Sequence, residues 1–292
     1  MKTNAGKVRG LPCFIKQRNV MKYGLFTCPY QRLSLERAFS DASILGYDYI
    51  ELWGGRPHAY APDLLAGDLE AVLRLIDRFE MPVEIYTPEH NAYPFNYMAG
   101  SERQWEDAMD YLSAALRCGK ALGAEYTLIS VGHSGFASPE EKRSRLLKSL
   151  TRLSREAERL DHRIVVEPLT PMESDFCNRS EELSELLDLV NSPAVRGMCD
   201  VVVPFVQGRS PAAEVRLLGQ RMAHLHLTDS DGITENHLLP GDGCMDLHGL
   251  LEELSACGYD GRATLELVTH YIDTPSEAAA AAIRRIREMT ES

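Results

Sequence analysis

No stretch of the sequence approaches the ~20 consecutive apolar residues that a membrane-spanning helix needs, so no membrane partner is expected. The seven cysteines (13, 28, 118, 177, 199, 244 and 257) are scattered and contain no C-x-x-C pair, which argues for reduced thiols in a cytoplasmic setting rather than a disulfide framework. Basic residues are in the minority. With 31 Lys and Arg against 43 Asp and Glu the net charge is -12, and a nucleic-acid partner is disfavoured because phosphate binding needs a basic footprint. Residues 1–20 hold no apolar core followed by a small-residue cleavage site. They read as an N-terminal tail, disordered or added by an upstream start codon, and residues 21–292 read as a single domain.

What the sequence has in quantity is alternation. Short runs rich in β-branched and aromatic residues fall at Tyr23–Cys28, Tyr49–Trp53, Val83–Thr87, Tyr126–Val131, Ile164–Leu169, Gly197–Val202, Ala223–Thr228 and Ala263–Val268. Amphipathic helical patterns follow them at 33–46, 68–80, 103–122, 139–161, 179–191, 212–221, 247–257 and 275–289. Ser138-Pro139-Glu140-Glu141 is a helix start, and Gly46, Gly123 and Gly258 sit where helices end. Eight strand–helix units in one chain predict an α/β fold of the (β/α)8 TIM-barrel type. The alternative, an open doubly wound sheet, is disfavoured because Thr27-Cys28-Pro29-Tyr30 replaces a glycine-rich fingerprint after the first strand.

Four strands end on an ionisable residue: Glu167 after Ile164-Val165-Val166, Asp200 after Met198-Cys199, His226 after His224-Leu225, and Glu266 after Thr264-Leu265. Side chains alternate faces along a strand, so these four residues share the barrel axis with Val165, Met198, His224 and Thr264, while Leu225, Leu227, Leu265 and Leu267 face the helices. All four lie toward the carboxyl ends of strands five to eight, where barrel active sites are built. A single strand-end carboxylate is more often a cap or an ion-pair partner, and His224 reads as a packed barrel histidine. Three carboxylates and an imidazole converging on one point call instead for a divalent cation, and their hardness favours Mn²⁺, Co²⁺ or Mg²⁺. Glu51 and Trp53 share the inward parity and are expected to line a substrate pocket, with His133 at the end of strand four as a further contact. The loops after strands two and three offer Arg56, His58, Glu89, His90, Asn91, Tyr93 and Asn96, either to hold a substrate's tail or simply to cover the pocket.

Glu-Pro-Leu-Thr-Pro at 167–171, Cys-Asp at 199–200, His-Leu-His-Leu-Thr-Asp at 224–229 and Leu-Glu-Leu at 265–267 resemble the sugar isomerase/epimerase barrels related to xylose isomerase. Tyr-Gly-Leu-Phe-Thr-Cys at 23–28 and Glu-Leu-Trp-Gly-Gly-Arg-Pro-His at 51–58 narrow the likeness to the fructoselysine 3-epimerase family, from about Met21 to the last helix. The resemblance implies metal-dependent epimerisation at C3 of a ketose adduct through a cis-enediolate. It implies Glu167, Asp200, His226 and Glu266 as ligands of Mn²⁺ (or Co²⁺, Ni²⁺ or Mg²⁺), with Glu167 and Glu266 doubling as the catalytic acid/base pair. It also implies Glu173 as a substrate contact, a small-molecule sugar substrate and a homo-oligomer. Free-ketohexose epimerases carry a histidine three residues after the metal aspartate and an arginine after the metal histidine. Here Val203 and Asp229-Ser230-Asp231 stand in those places, so a tagatose- or psicose-type epimerase, or another sugar isomerase, is the second expectation.

Overall fold

The computed structural model describes residues 21–90 and 94–291, so the expected tail lies outside the described residues. Eight strands, Lys22–Phe26 (β1), Tyr49–Gly54 (β2), Val83–Pro88 (β3), Tyr126–Ser130 (β4), Arg163–Glu167 (β5), Val195–Asp200 (β6), Met222–Leu227 (β7) and Arg262–Leu265 (β8), close into a parallel barrel in sequence order. Every expected strand is present. Most stop one to three residues earlier than the apolar pattern does, because the chain leaves the ladder at the carboxyl rim to form the loops above it. β5 ends on Glu167 and β6 on Asp200, and β8 ends one residue before Glu266.

The expected alternation holds. Tyr49, Ile85, Tyr126, Leu128, Val165 and Met198 form a cluster of their own on the axis, while Ile164, Val166, Leu225, Leu227, Leu265 and Leu267 join the larger core between sheet and helices. Gly24 is required at the axis: a Cβ there would lie 2.3 Å from the Tyr49 ring, whose hydroxyl bonds Thr264 Oγ1 at 2.9 Å. At the amino-terminal rim, Arg262 bridges Glu84 and Glu125, Lys22 adds a 2.9 Å contact to Glu84, and Arg163 one of 3.1 Å to Glu125. These ion pairs floor the barrel and leave the opposite mouth for chemistry.

The outer helices begin and end where their signals place them. Ser138 caps Pro139–Arg159 through a reciprocal box with Glu141, and Ser101 caps Glu102–Ala121 in the same way with Gln104. Gly46, Gly123 and Gly258 adopt φ values of 76°, 78° and 79°, the left-handed geometry that closes a helix without a Cβ clash. The helix expected at 212–221 is Pro211–Leu218 followed by a 3₁₀ turn at Gly219–Arg221. Among the described residues no helix is long and apolar enough to cross a membrane.

Candidate active site

β5, β6 and β7 deliver Glu167, Asp200 and His226 to the carboxyl rim, and the residue after β8 delivers Glu266. His226 is the hub. Its Nδ1 lies 2.9 Å from Glu167 Oε1 and 2.8 Å from Glu266 Oε2. Glu167 is steadied from the neighbouring strand, where Ser130 Oγ donates to its Oε2 at 2.8 Å. Asp200 Oδ1 accepts the backbone N–H of Val202 at 3.0 Å, and its Oδ2 faces His237 Nε2 at 3.3 Å. His237 Nε2 is also 3.0 Å from Glu266 Oε2. The four expected residues, joined by His237, which was not expected, therefore form two triads that share one carboxylate: Glu167, His226 and Glu266, then Asp200, His237 and Glu266.

The electrostatics of this cluster set burial against closely spaced carboxylates and imidazoles. Burial pushes the Glu167 carboxyl up, and the nearby imidazole only partly offsets it. Glu266 is as deeply placed, but His226 and His237 outweigh its burial and hold it well below the ordinary carboxylate range. Burial alone would lower His226; Glu266, Glu51 and Glu167 overcome it and raise the imidazole well above its ordinary value. Even so, His226 Nδ1 and Glu266 Oε2 remain buried without a hydrogen-bond partner, although they lie 2.8 Å apart. Lone pairs of an imidazole and two carboxylates that converge in this way fit a shared divalent cation, which each can ligate at once. The donors are oxygen and nitrogen; no thiolate belongs to the set.

Glu51, expected to line the pocket, instead sits beneath it with 0% of its surface exposed. Its Oε1 meets His226 Nε2 at 3.0 Å and the Thr87 hydroxyl at 2.6 Å, and its Oε2 meets His224 Nε2 at 2.8 Å. Both of its oxygens are thus engaged by neighbours. Trp53 packs with Phe26 and Cys28 at the mouth and donates its indole N–H to Glu89 at 2.7 Å. The Phe26 ring in turn stacks on His226. Arg56, one of the loop residues expected either to hold a substrate's tail or to cover the pocket, is committed to Asp63 through bonds of 2.6 and 2.7 Å. His133 is exposed, and its carbonyl accepts from Asn96 at 2.8 Å. His58 caps the Leu33 carbonyl, His90 accepts the Ser130 backbone N–H, and Asn91 and Tyr93 lie outside the described residues.

Glu173 stands at the rim, where Thr170 Oγ1 lies 3.2 Å from it and 3.1 Å from Glu235. Desolvation, then repulsion from Glu235 and the deeper carboxylates, raises its carboxyl to about 7. Both Glu235 and His237 come from the loop after β7 and carry no strand or helix periodicity, so sequence reasoning passed over them. The signal available there was Asp229. Its buried carboxylate accepts backbone N–H groups of Ser230, Gly241, Gly243 and Met245 at 2.8 to 3.1 Å, folding the loop back over the site.

A family model described as a xylose isomerase-like TIM barrel matches residues 39–289. The chain is 42% identical over 270 residues to a fructoselysine 3-epimerase of Shigella flexneri, covering 92% of this chain and 98% of that protein. Among solved structures, a D-tagatose 3-epimerase-like protein superposes with a TM-score of 0.76 at 19% identity, over 92% of this chain and all of the other. The IOLI protein, solved with a bound zinc atom, superposes with a TM-score of 0.77 at 18% identity, over 93% and 98% of the two chains. At those identities the structural likeness speaks for the fold.

Proposed function

The chain belongs to the xylose isomerase-like TIM-barrel family and is an isomerase within it, and from that premise we propose that it inverts C3 of a ketose bearing an amino-acid substituent, converting fructoselysine to psicoselysine. The observation that carries this assignment is the pair of carboxylates, Glu167 and Glu266, set 2.9 and 2.8 Å from one imidazole nitrogen at the barrel mouth. A proton on the carbon beside a ketone is too weakly acidic for an isolated carboxylate to remove. A divalent cation held by Glu167, Asp200, His226 and Glu266 would supply Lewis-acid stabilisation of the charge that develops on the substrate's oxygens.

Inversion needs two groups on opposite faces. One glutamate removes the C3 proton, leaving a cis-enediolate, and the other returns a proton to the far face. The surroundings push Glu167 and Glu266 in opposite directions, up by burial and down by histidines, which is the separation an acid/base pair requires. The Ser130 hydroxyl aims Glu167. In this reading Glu173 meets sugar hydroxyls, Trp53 walls the pocket, His133 is a further substrate contact, and Arg56 meets the amino-acid tail by exchanging Asp63 for the substrate carboxylate. Mn²⁺ is the proposed cation, on the strength of the oxygen-rich donor set, with Co²⁺, Ni²⁺ and Mg²⁺ as alternatives. A cytoplasmic, homo-oligomeric enzyme is the corresponding setting, in keeping with the free cysteines.

The test is NMR in D₂O of the Mn²⁺-loaded protein, after removal of the paramagnetic ion from the quenched mixture, with fructoselysine, psicoselysine and free fructose in separate tubes. Deuterium at C3 of the lysine adduct, with the other epimer growing in, is the expected result. Exchange confined to free fructose would reassign the enzyme to the ketohexose 3-epimerases. Exchange in none of the tubes would overturn the epimerase assignment.

A further inference from the structure

Glu51 is a fully buried carboxylate that no step of the proposed reaction uses. A charge in that position is costly unless both of its oxygens are hydrogen-bonded. Glu51 meets the condition with three neighbours: the Thr87 hydroxyl at 2.6 Å and His226 Nε2 at 3.0 Å on Oε1, and His224 Nε2 at 2.8 Å on Oε2. A carboxylate only accepts, so each of these neighbours must donate. That requirement puts the His226 proton on Nε2 and leaves Nδ1, the nitrogen facing Glu167 and Glu266, with a free lone pair. The opposite tautomer would set the Nε2 lone pair against a buried anion and aim an N–H where a cation is to be bound.

We propose that Glu51 is a positioning residue for the cation site, holding His226 by its Nε2–H so that the Nδ1 lone pair is presented to the ion shared with Glu167 and Glu266. His224 completes the clamp. It stands one layer deeper on β7, edge-on to His226 with ring centroids 5.0 Å apart, and fixes the second oxygen so that the carboxylate cannot rotate away. Carboxylate–histidine–metal relays of this type orient the ring and raise its ligand strength, and breaking one lowers metal affinity 10- to 100-fold. The proposal rests on the assignment of His226 as a ligand, and its test keeps the two separable.

Glu51→Leu removes both acceptor oxygens while retaining an apolar volume at the buried position. Titration calorimetry of the metal-free proteins with Mn²⁺ should show a Kd 10- to 100-fold weaker in the variant. Far-UV circular dichroism and thermal melting establish whether the barrel is intact. Since the variant leaves two imidazole N–H groups without acceptors, a second measurement needs no substitution: NMR of the Zn²⁺-loaded, ¹⁵N-histidine-labelled wild type. There His226 should keep its proton on Nε2 while Nδ1 shifts on ion binding. Equal Mn²⁺ affinity in a folded variant, or ligation of Zn²⁺ through His226 Nε2, would overturn the role of Glu51. A wild type that binds no divalent ion would instead overturn the cation site beneath the proposed function.

Discussion

Replacing Glu266 by Gln separates the site's chemistry from its architecture. Oε2 of Glu266 is the one oxygen common to both triads, 2.8 Å from His226 Nδ1 and 3.0 Å from His237 Nε2. The amide has the same shape, so the barrel should fold, but the cation-free protein should melt lower than wild type because His226 and His237 lose the carboxylate charge that they hold in place. Loss of one proton-transfer group costs 10²- to 10⁴-fold in turnover, or about 2.7–5.4 kcal/mol of barrier at 1.36 kcal/mol per tenfold. Mn²⁺ at 100 times its wild-type Kd stabilises the wild type by about 2.7 kcal/mol, and at about 2 °C per kcal/mol for a chain of this size the melting temperature should rise by roughly 5 °C. In Glu266→Gln that rise should shrink with the weakened affinity. The assay is thermal melting with and without Mn²⁺, run beside C3 proton exchange on fructoselysine. Wild-type exchange together with an undiminished Mn²⁺ shift would falsify both the acid/base and the ligand role.

Three further outcomes are expected. His162 is 5% exposed, bonded to Thr127 Oγ1, and held down to about 4 by burial and then by Lys120 and Arg163. Because the unfolded chain takes up this proton near pH 6.5 and the folded one does not, stability should fall as the pH drops from 6.5 toward 4, by about 3 kcal/mol; urea midpoints at pH 7 and 5 should show about 2 kcal/mol of it, and His162→Gln should flatten the slope. Asp229→Asn turns an amide N–H₂ toward backbone donors that now share a carboxylate, at about 1–3 kcal/mol. Hydrogen exchange should rise across 229–245 and turnover should fall, with the barrel strands still protected; unchanged exchange in that loop counts against the hub assignment. Gly24→Ala drives a Cβ into the Tyr49 ring and should cost about 1–3 kcal/mol, much of it recovered in the double variant with Tyr49→Val, and additive losses in that pair would count against the clash.

The barrel and most of its rim were legible because a strand's side-chain period is two. Once Glu167 is placed inward, parity carries Val165, Met198, Asp200, His224 and His226 with it, and the axis cluster follows. Parity continued to predict correctly one residue beyond β8, where Glu266 no longer belongs to the ladder. What parity cannot give is height along the axis. Glu51 and Trp53 point the same way from β2, yet Glu51 lies a layer down among histidines and Trp53 at the mouth. Partner choice was equally out of reach for Arg56, since the competing Asp63 sits in a short helical turn after β2 that the strand–helix pattern does not include. His237 was invisible for a different reason: it is held by a loop whose order comes from backbone N–H groups gathered on Asp229.

These placements explain why strands of β-branched and apolar residues end in charge. A lone buried carboxylate at Glu167, Asp200 or Glu266 would cost several kcal/mol, and the imidazole of His226 offsets only part of that while its Nδ1 stays unpartnered. In the cation-free protein Glu266, Glu51 and Glu167 overcome burial and raise His226 well above its ordinary value. An imidazole ligates only through a free lone pair, so binding of a divalent ion should tighten with rising pH and release acid into the buffer. Glu51 sits outside this exchange, since its three donors satisfy it whether the site holds a proton or an ion. The arrangement thus divides the cluster in two: an anchor below the mouth whose oxygens are engaged, and above it a set of converging lone pairs that could hold a cation.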